Sequence, residues 1–405
     1  MYKTYTLNNG LRIIHCFERT NVSYCGLIID TGSRDELPSE YGMAHFVEHT
    51  IFKGTTKRKS AQIVNCLENI GGEIDAFTTK EESVIFACIL NEYIEKAVEF
   101  IADIAQNPVF LQNEIDKEKE VIFDEINMNN DRLSNFIHNN FDEILFAKHS
   151  LAHCILGNKK NIEKFNTSDV FNFFKRQYVT EKMIFFILGN IELKNIVRLC
   201  EKYFEKKKKN GISLQRKAPN NYNVQTKNIK MNRHQTQVLI GSRAYDMYHP
   251  NRIGLHLLTY ILGGRSVNSK LNVELREKHG LVYSVEANYQ PFTDTGKWTI
   301  QFGCDSKNVE QCETLVYKEL EVLRDKLIPV TALNSYKLQL FAQMAIAYEN
   351  RKSMAINLGK NYLRHDKADK LNETRLKMGM LQANTLRDIA NEMFLPQNFS
   401  TLRLC

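Results

Sequence analysis

The sequence predicts an α+β fold: two homologous αβ domains, each a mostly antiparallel sheet packed against helices, related by internal duplication. Three observations carry this expectation. Each half runs strand, helix, strand, helix in the same order, the pattern of a sheet with helices packed on it. The repeat period of about 200 residues is far too long for a solenoid, so the repeating unit is a domain. Residues 205–223 (EKKKKNGISLQRKAPNNYN) are charged, carry Gly211 and Pro219 and show no periodicity, which marks a junction. The expected division is an N-terminal domain at 1–205, a linker at 206–223 and a C-terminal domain at 224–405.

Residues 1–14 are polar and strand-like, with neither the apolar core of a secretion signal nor an Arg-rich targeting helix. Strands are expected at 11–16 and 24–30, an apolar helix at 42–54 that ends on Gly54, a further helix, and strands at 72–79 and 83–90. Long helices follow. The second half repeats the series with strands at 229–232 and 237–241, an apolar helix at 253–264, another helix, and strands at 282–289 and 297–303. Of 405 residues, 43% are hydrophobic and 25% charged, which suits a globular protein with a large core. No apolar run approaches the ~20 residues that span a bilayer, so no membrane contact is expected. Nine cysteines without C-x-x-C spacing fit a reducing compartment, and the cytoplasm is the expected location. Net charge is +7, from 54 basic against 47 acidic residues, and the strongest basic run is Lys206 to Lys209. Without a basic face or interleaved aromatics it reads as solvated linker charge, and no nucleic-acid partner is expected.

The chemistry is carried by HFVEH at 45–49, an H-x-x-E-H pattern inside a helix-compatible run. On a helix, positions i and i+4 lie about 40° apart, so His45 and His49 point at one ion, with Glu48 on an adjoining part of that face. Two imidazoles suit zinc, and a nearby carboxylate suits a base acting on water. A third ligand belongs on a second helix, and residues 113–129 supply an acidic one. There Glu118 and Glu125 are two turns apart and share a face, and periodicity does not choose between them. The second half has lost this set. Aligning Gly42 with Gly254 puts Leu257, Tyr260 and Ile261 opposite His45, Glu48 and His49, and leaves a single histidine, His256, on that helix.

Several segments together resemble the pitrilysin/insulinase superfamily of zinc metallopeptidases, in the short-chain branch typified by mitochondrial processing peptidase and its bacterial relatives. They are LNNGLRI at 7–13, GSRDE at 32–36, the run 42–55, GGEIDAFTTKE at 71–81, the helix 118–126, LGGR at 262–265 and LREKHGLVY at 275–283. The resemblance covers nearly the whole chain. It implies His45, His49 and Glu125 as ligands of one Zn2+ per chain, Glu48 as the base, and Glu118 as the accessory acid that orients a ligand. It implies that Arg276 and Tyr283 contact the substrate from the second half. Residues 72–79 resemble the family's substrate-binding edge strand, with Asp75, Ala76, Phe77 and Thr78 at its centre.

The implied activity is endopeptidase hydrolysis of short or unfolded peptides in a closed chamber. The implied partners are peptide substrates and a second subunit, as a homodimer or as a heterodimer with a homologous chain. Asp75 stands where the family has Asn, and its charge is expected to favour basic or amino-terminal groups. Arg265 stands where a small residue is usual. The competing reading is a non-catalytic peptide-binding subunit of a heterodimeric peptidase. Such subunits typically lose a ligand or the base, and this chain keeps all four.

Overall fold

The computed structural model describes residues 2–204, 216–220, 222–231, 234–264, 266–368 and 371–405. The basic run at 206–209 and Arg265 lie outside the described residues.

Strands β1 (Tyr2–Thr6), β2 (Arg12–Phe17), β3 (Val22–Ile29), β4 (Glu73–Thr78), β5 (Ser83–Leu90) and β6 (Met183–Gly189) form one sheet in the order β1-β2-β6-β3-β5-β4. Strands β7 (Thr226–Ile229), β8 (Gln235–Ala244), β9 (Val282–Pro291), β10 (Gly296–Asp305) and β11 (Ser400–Leu404) form a second in the order β7-β11-β8-β10-β9. Removing β1 makes the two orders superimpose strand for strand. The single parallel pair falls at the same place in each, β2 on β6 and β7 on β11, and all other neighbours are antiparallel. The duplication read from the sequence is therefore a duplication of topology. The strand at 229–232 differs from expectation: β7 spans Thr226–Ile229.

The apolar runs of β3, β5 and β6 are continuous because both faces of the first sheet are covered. Leu27, Ile85, Ala87, Phe185 and Ile187 point to one face, where they meet Ala97, Val98 and Ile101 of the helix Ile94–Gln106. Ile28, Val84, Phe86, Ile184 and Phe186 point to the other, where they meet Ala355, Ile356 and Tyr362 of the helix Arg351–His365. In the second sheet, Val238, Ile240, Ile300 and Phe302 pack against the helices Arg252–Gly263, Val309–Asp325 and Ala383–Met393. Leu239, Leu402 and Leu404 pack against Ile137, Phe141 and Ile144 of the helix Leu133–Leu145.

The compact units thus differ from the contiguous halves 1–205 and 224–405. One unit comprises 1–129, 153–216 and 347–369, and the other 130–152, 217–346 and 370–405. The physical reason is the open face of each sheet: each is covered by one helix from the other half of the sequence. Gly359 marks how close one of these helices lies. A Cβ there would meet Ile28 Cδ1 at 2.7 Å and Phe186 Cβ at 3.1 Å. Gly359→Val is expected to destabilise the chain by about 1–3 kcal/mol through overpacking. A denaturation midpoint equal to that of the parent would contradict this contact.

Candidate metal centre

Helix α1 (Met43–Thr50) follows Gly42, whose φ of +100° lies in the left-handed region that favours glycine. Met43, Ala44, Phe46 and Val47 enter the core of the first unit. Burying that face turns His45, Glu48 and His49 to the other side together. The helix is shorter than the predicted 42–54: it stops at Thr50, and residues 51–53 form a turn. Helices α2 (Ser60–Glu68) and α3 (Ile94–Gln106) come next in the chain, and α4 (Gln112–Asp131) brings in the acidic residues. In α4, Ile115, Glu118, Ile122 and Ile126 form the buried stripe, and Glu118 is its one charged member.

The imidazole centroids of His45 and His49 are 4.5 Å apart. Glu125 Oε2 lies 3.6 Å from His45 Nε2 and 3.7 Å from His49 Nε2. One ligand atom from each of the three residues falls within 4.8 Å of the others, and this is the one such His/Cys/Asp/Glu group among the described residues. Two ligands bonded to zinc at ~2.0–2.1 Å with tetrahedral angles sit about 3.4 Å apart, so the Glu125 oxygen lies near that spacing from both imidazoles, and a three-residue set would leave a fourth position open. Glu118 does not join them. Its Oε1 accepts the Nδ1–H of His49 at 2.8 Å, which leaves His49 Nε2 with its lone pair toward Glu125. Lys53 Nζ donates to Glu118 Oε2 at 2.6 Å. The side chain of Glu118 is 5% exposed and that of Glu125 42%, so the two acids that share a helix face differ sharply in setting.

Electrostatics follow these contacts. Burial, and next the neighbouring His49 imidazole, lower the His45 pKa to about 3 and keep it a neutral donor ligand. Burial also lowers that of His49, but the Glu118 bond and the Glu48, Glu118 and Glu125 carboxylates outweigh it and the net shift is upward. Burial raises the Glu118 carboxyl, and its bonds to His49 and Lys53 bring the net shift below the usual value. Glu48 is buried, which raises its carboxyl against the opposing bond from Thr78, whose Oγ1 donates to Glu48 Oε2 at 2.7 Å.

Thr78 belongs to β4, the edge of the first sheet. The Thr79 N–H donates to Glu82 C=O, so in an antiparallel ladder Phe77 and Asp75 bond inward to β5 while Thr78 and Ala76 present N–H and C=O to the free edge. Side chains alternate as well. Ile74 and Ala76 join one core, and Phe77 joins the core on the opposite face, under the Lys360 ammonium. Asp75 is already engaged. Its Oδ1 accepts the Ala76 N–H at 2.9 Å and its Oδ2 lies 3.2 Å from Lys352 Nζ.

Arg276 and Tyr283 belong to the second unit. Arg276 sits in the π-helical stretch Asn272–Lys278, 5.9 Å from the Tyr283 ring, and Tyr283 on β9 is 84% exposed. In the equivalent of α1, Leu257 and Ile261 are core residues and His256 is exposed, so no metal set is present there. Sequence reasoning missed Lys53 and Glu36. Lys53 follows His49 at i+4, a spacing that offered a weak signal. Glu36 closes the GSRDE segment at 32–36, but no spacing tied its carboxylate to the start of α1.

Comparison with known proteins identifies the family. The model of the insulinase family of peptidases, family M16, matches residues 15–159, and the model described as the M16 inactive domain matches 164–340. A protein of Rickettsia bellii named an uncharacterized zinc protease is 30% identical over 357 residues, covering 88% of this chain and 86% of its own. The uncharacterized zinc protease YmxG of Bacillus subtilis is 29% identical over 395 residues, covering 97% and 96%. Among solved structures, a protease from Helicobacter pylori superposes with a TM-score of 0.91 at 21% identity, covering 100% of this chain and 99% of its own. At that identity the likeness speaks for the fold. No helix among the described residues is long and apolar enough to cross a membrane.

Proposed function

The chain belongs to the insulinase family of peptidases, M16, in its short-chain bacterial branch, and on that premise we propose that it is a zinc-dependent endopeptidase acting on short or unfolded peptides. The observation that carries this reading is the convergence of His45, His49 and Glu125 beside a base, Glu48, that is held by a residue of a free-edge strand. Bound zinc supplies Lewis-acid chemistry: it lowers the pKa of a coordinated water toward ~7 and polarises a carbonyl.

The residues divide the remaining work. Glu48 accepts a proton from the attacking water and returns it to the leaving amine. Thr78 fixes the rotamer of that carboxylate, and Glu118 fixes the ring of His49. The outward-facing N–H and C=O groups of Ala76 and Thr78 pair with an extended peptide backbone, which favours substrates by conformation rather than by sequence. A peptide that pairs at Ala76 displaces the Asp75 carboxylate from the Ala76 N–H, so a cation on the peptide can take up that carboxylate in place of Lys352.

Metal removal tests the reading. The purified chain is expected to carry about one zinc, to lose hydrolysis of a mixed peptide library after chelation, and to recover it on adding zinc. A metal-free chain that cleaves as fast as the zinc-loaded one sinks the proposal.

A further inference from the structure

We propose that the turn Ser33–Asp35 with Glu36 is a brace that fixes the metal helix α1 relative to the end of β4, and that Glu36 is the positioning residue through which it acts. This rests on the peptidase reading for its consequence and on independent geometry for its existence.

One end of the brace grips the β4–β5 turn. The Ser33 N–H donates to Thr79 C=O at 3.1 Å and the Arg34 N–H to Lys80 C=O at 2.8 Å. The Arg34 guanidinium forms a buried pair with Glu81 at 2.6 Å. A Cβ on Gly32 would meet Thr79 O at 2.4 Å, so the backbones touch there. The other end grips α1. Glu36 is buried, with Oε1 accepting the Ala44 N–H at 2.7 Å and Oε2 accepting the Gly42 N–H at 2.9 Å. His153 Nε2 lies 2.9 Å from Oε2, the His153 ring stacks on Tyr41 at 3.8 Å, and the His153 C=O accepts Lys80 Nζ at 2.5 Å. Lys80 belongs to that same β4–β5 turn, which closes the circuit.

The first N–H groups of a helix lack partners within it, and a carboxylate at that end is favoured by the helix dipole. An eight-residue helix is far below the length that holds itself in water, so its position is set by what grips it. Three polar groups converge on Glu36: two backbone N–H donors and the His153 imidazole. Burial, and next the Lys80 charge, lower the His153 pKa to about 3, so that ring is neutral and shares one hydrogen with Glu36 through Nε2. Burial raises the Glu36 carboxyl and the Ala44 and Gly42 bonds oppose it. The net shift is well above the usual carboxylate value, while Oε1 and Oε2 each accept a backbone N–H of the helix start.

His45 directly follows Ala44 and Glu48 lies one turn beyond it, so a tilt at this end moves both. A misplacement of ~1 Å at a reacting group can cost about 10²-fold in rate.

The test is Glu36→Gln, which keeps the volume but turns one acceptor into a donor facing N–H groups. Three readouts apply: kcat and KM on zinc-loaded protein, zinc affinity by competition with a chromogenic chelator, and amide exchange in residues 42–46 of the metal-free chain. The expected result is a kcat lower by about 10–100-fold with KM little changed, weaker zinc binding, and faster exchange in 42–46 than in the parent. His153→Asn, which leaves both backbone bonds, is expected to move all three in the same direction by less, and it serves if Glu36→Gln does not fold. Parental kcat, zinc affinity and exchange with only a lower melting temperature would overturn the proposal. If the parent itself cleaves nothing, the peptidase reading fails, while zinc affinity and amide exchange still decide on the brace.

Discussion

Glu48→Gln is expected to retain zinc at the parental level and to lower peptide hydrolysis by about 10²–10⁴-fold, the range that a positioned general base contributes. The reason lies in what the substitution leaves alone. Glu48 is outside the group of ligand atoms formed by His45, His49 and Glu125, so the metal donors are intact. Its Oε2 accepts the Thr78 hydroxyl at 2.7 Å, and a glutamine carbonyl of the same shape can accept that bond. The helix also keeps its packing, because the core face of α1 is made by Met43, Ala44, Phe46 and Val47. What is lost is the ability to take a proton from water. Steady-state kinetics on a peptide library, with zinc content from the same preparation, checks both halves of the expectation. Near-normal turnover would remove Glu48 from the role of base, and loss of zinc would make it a ligand or a support of one.

Much of this was legible because it is local. The apolar runs of β3, β5 and β6 announce strands buried on both faces, and HFVEH announces a helix with one polar side. The period of two in β4 already separates Asp75 and Phe77 from Ala76 and Thr78. The exchange of helices could not. An amphipathic pattern at 351–365 says that a face is buried, but the partner sheet is chosen by contacts between Ile356 and Phe186 that are far apart in sequence. The same holds for β11, which pairs with β7 and β8 from the end of the chain. Glu36 was opaque for a different reason. Sequence rules look for a cap at the residue just before a helix, and here that residue is Gly42 while the cap comes from six positions upstream through a folded turn.

The second large effect separates the two acids that periodicity left equivalent. Glu125→Ala is expected to abolish zinc binding and with it hydrolysis. Glu118→Ala is expected to keep zinc with an affinity weaker by about 10–100-fold, as for other partners that orient a metal ligand. Only Glu125 brings an oxygen within 3.6 Å of His45 Nε2 and 3.7 Å of His49 Nε2, the spacing of atoms that share one small ion. Glu118 is spent elsewhere: one oxygen holds His49 Nδ1–H and the other holds Lys53. Removing it leaves His49 in reach of the ion but with its ring free to rotate, and leaves the Lys53 charge beside it without its acceptor. That combination weakens a site without deleting a donor. Zinc stoichiometry after dialysis at fixed free zinc, from sub-micromolar upward, distinguishes the cases. A Glu118→Ala chain that stays empty at every zinc level, beside a Glu125→Ala chain that fills, would exchange the two assignments. It would also mean that the ring of His49 turns over on metal binding, since Glu118 reaches that ring through Nδ1.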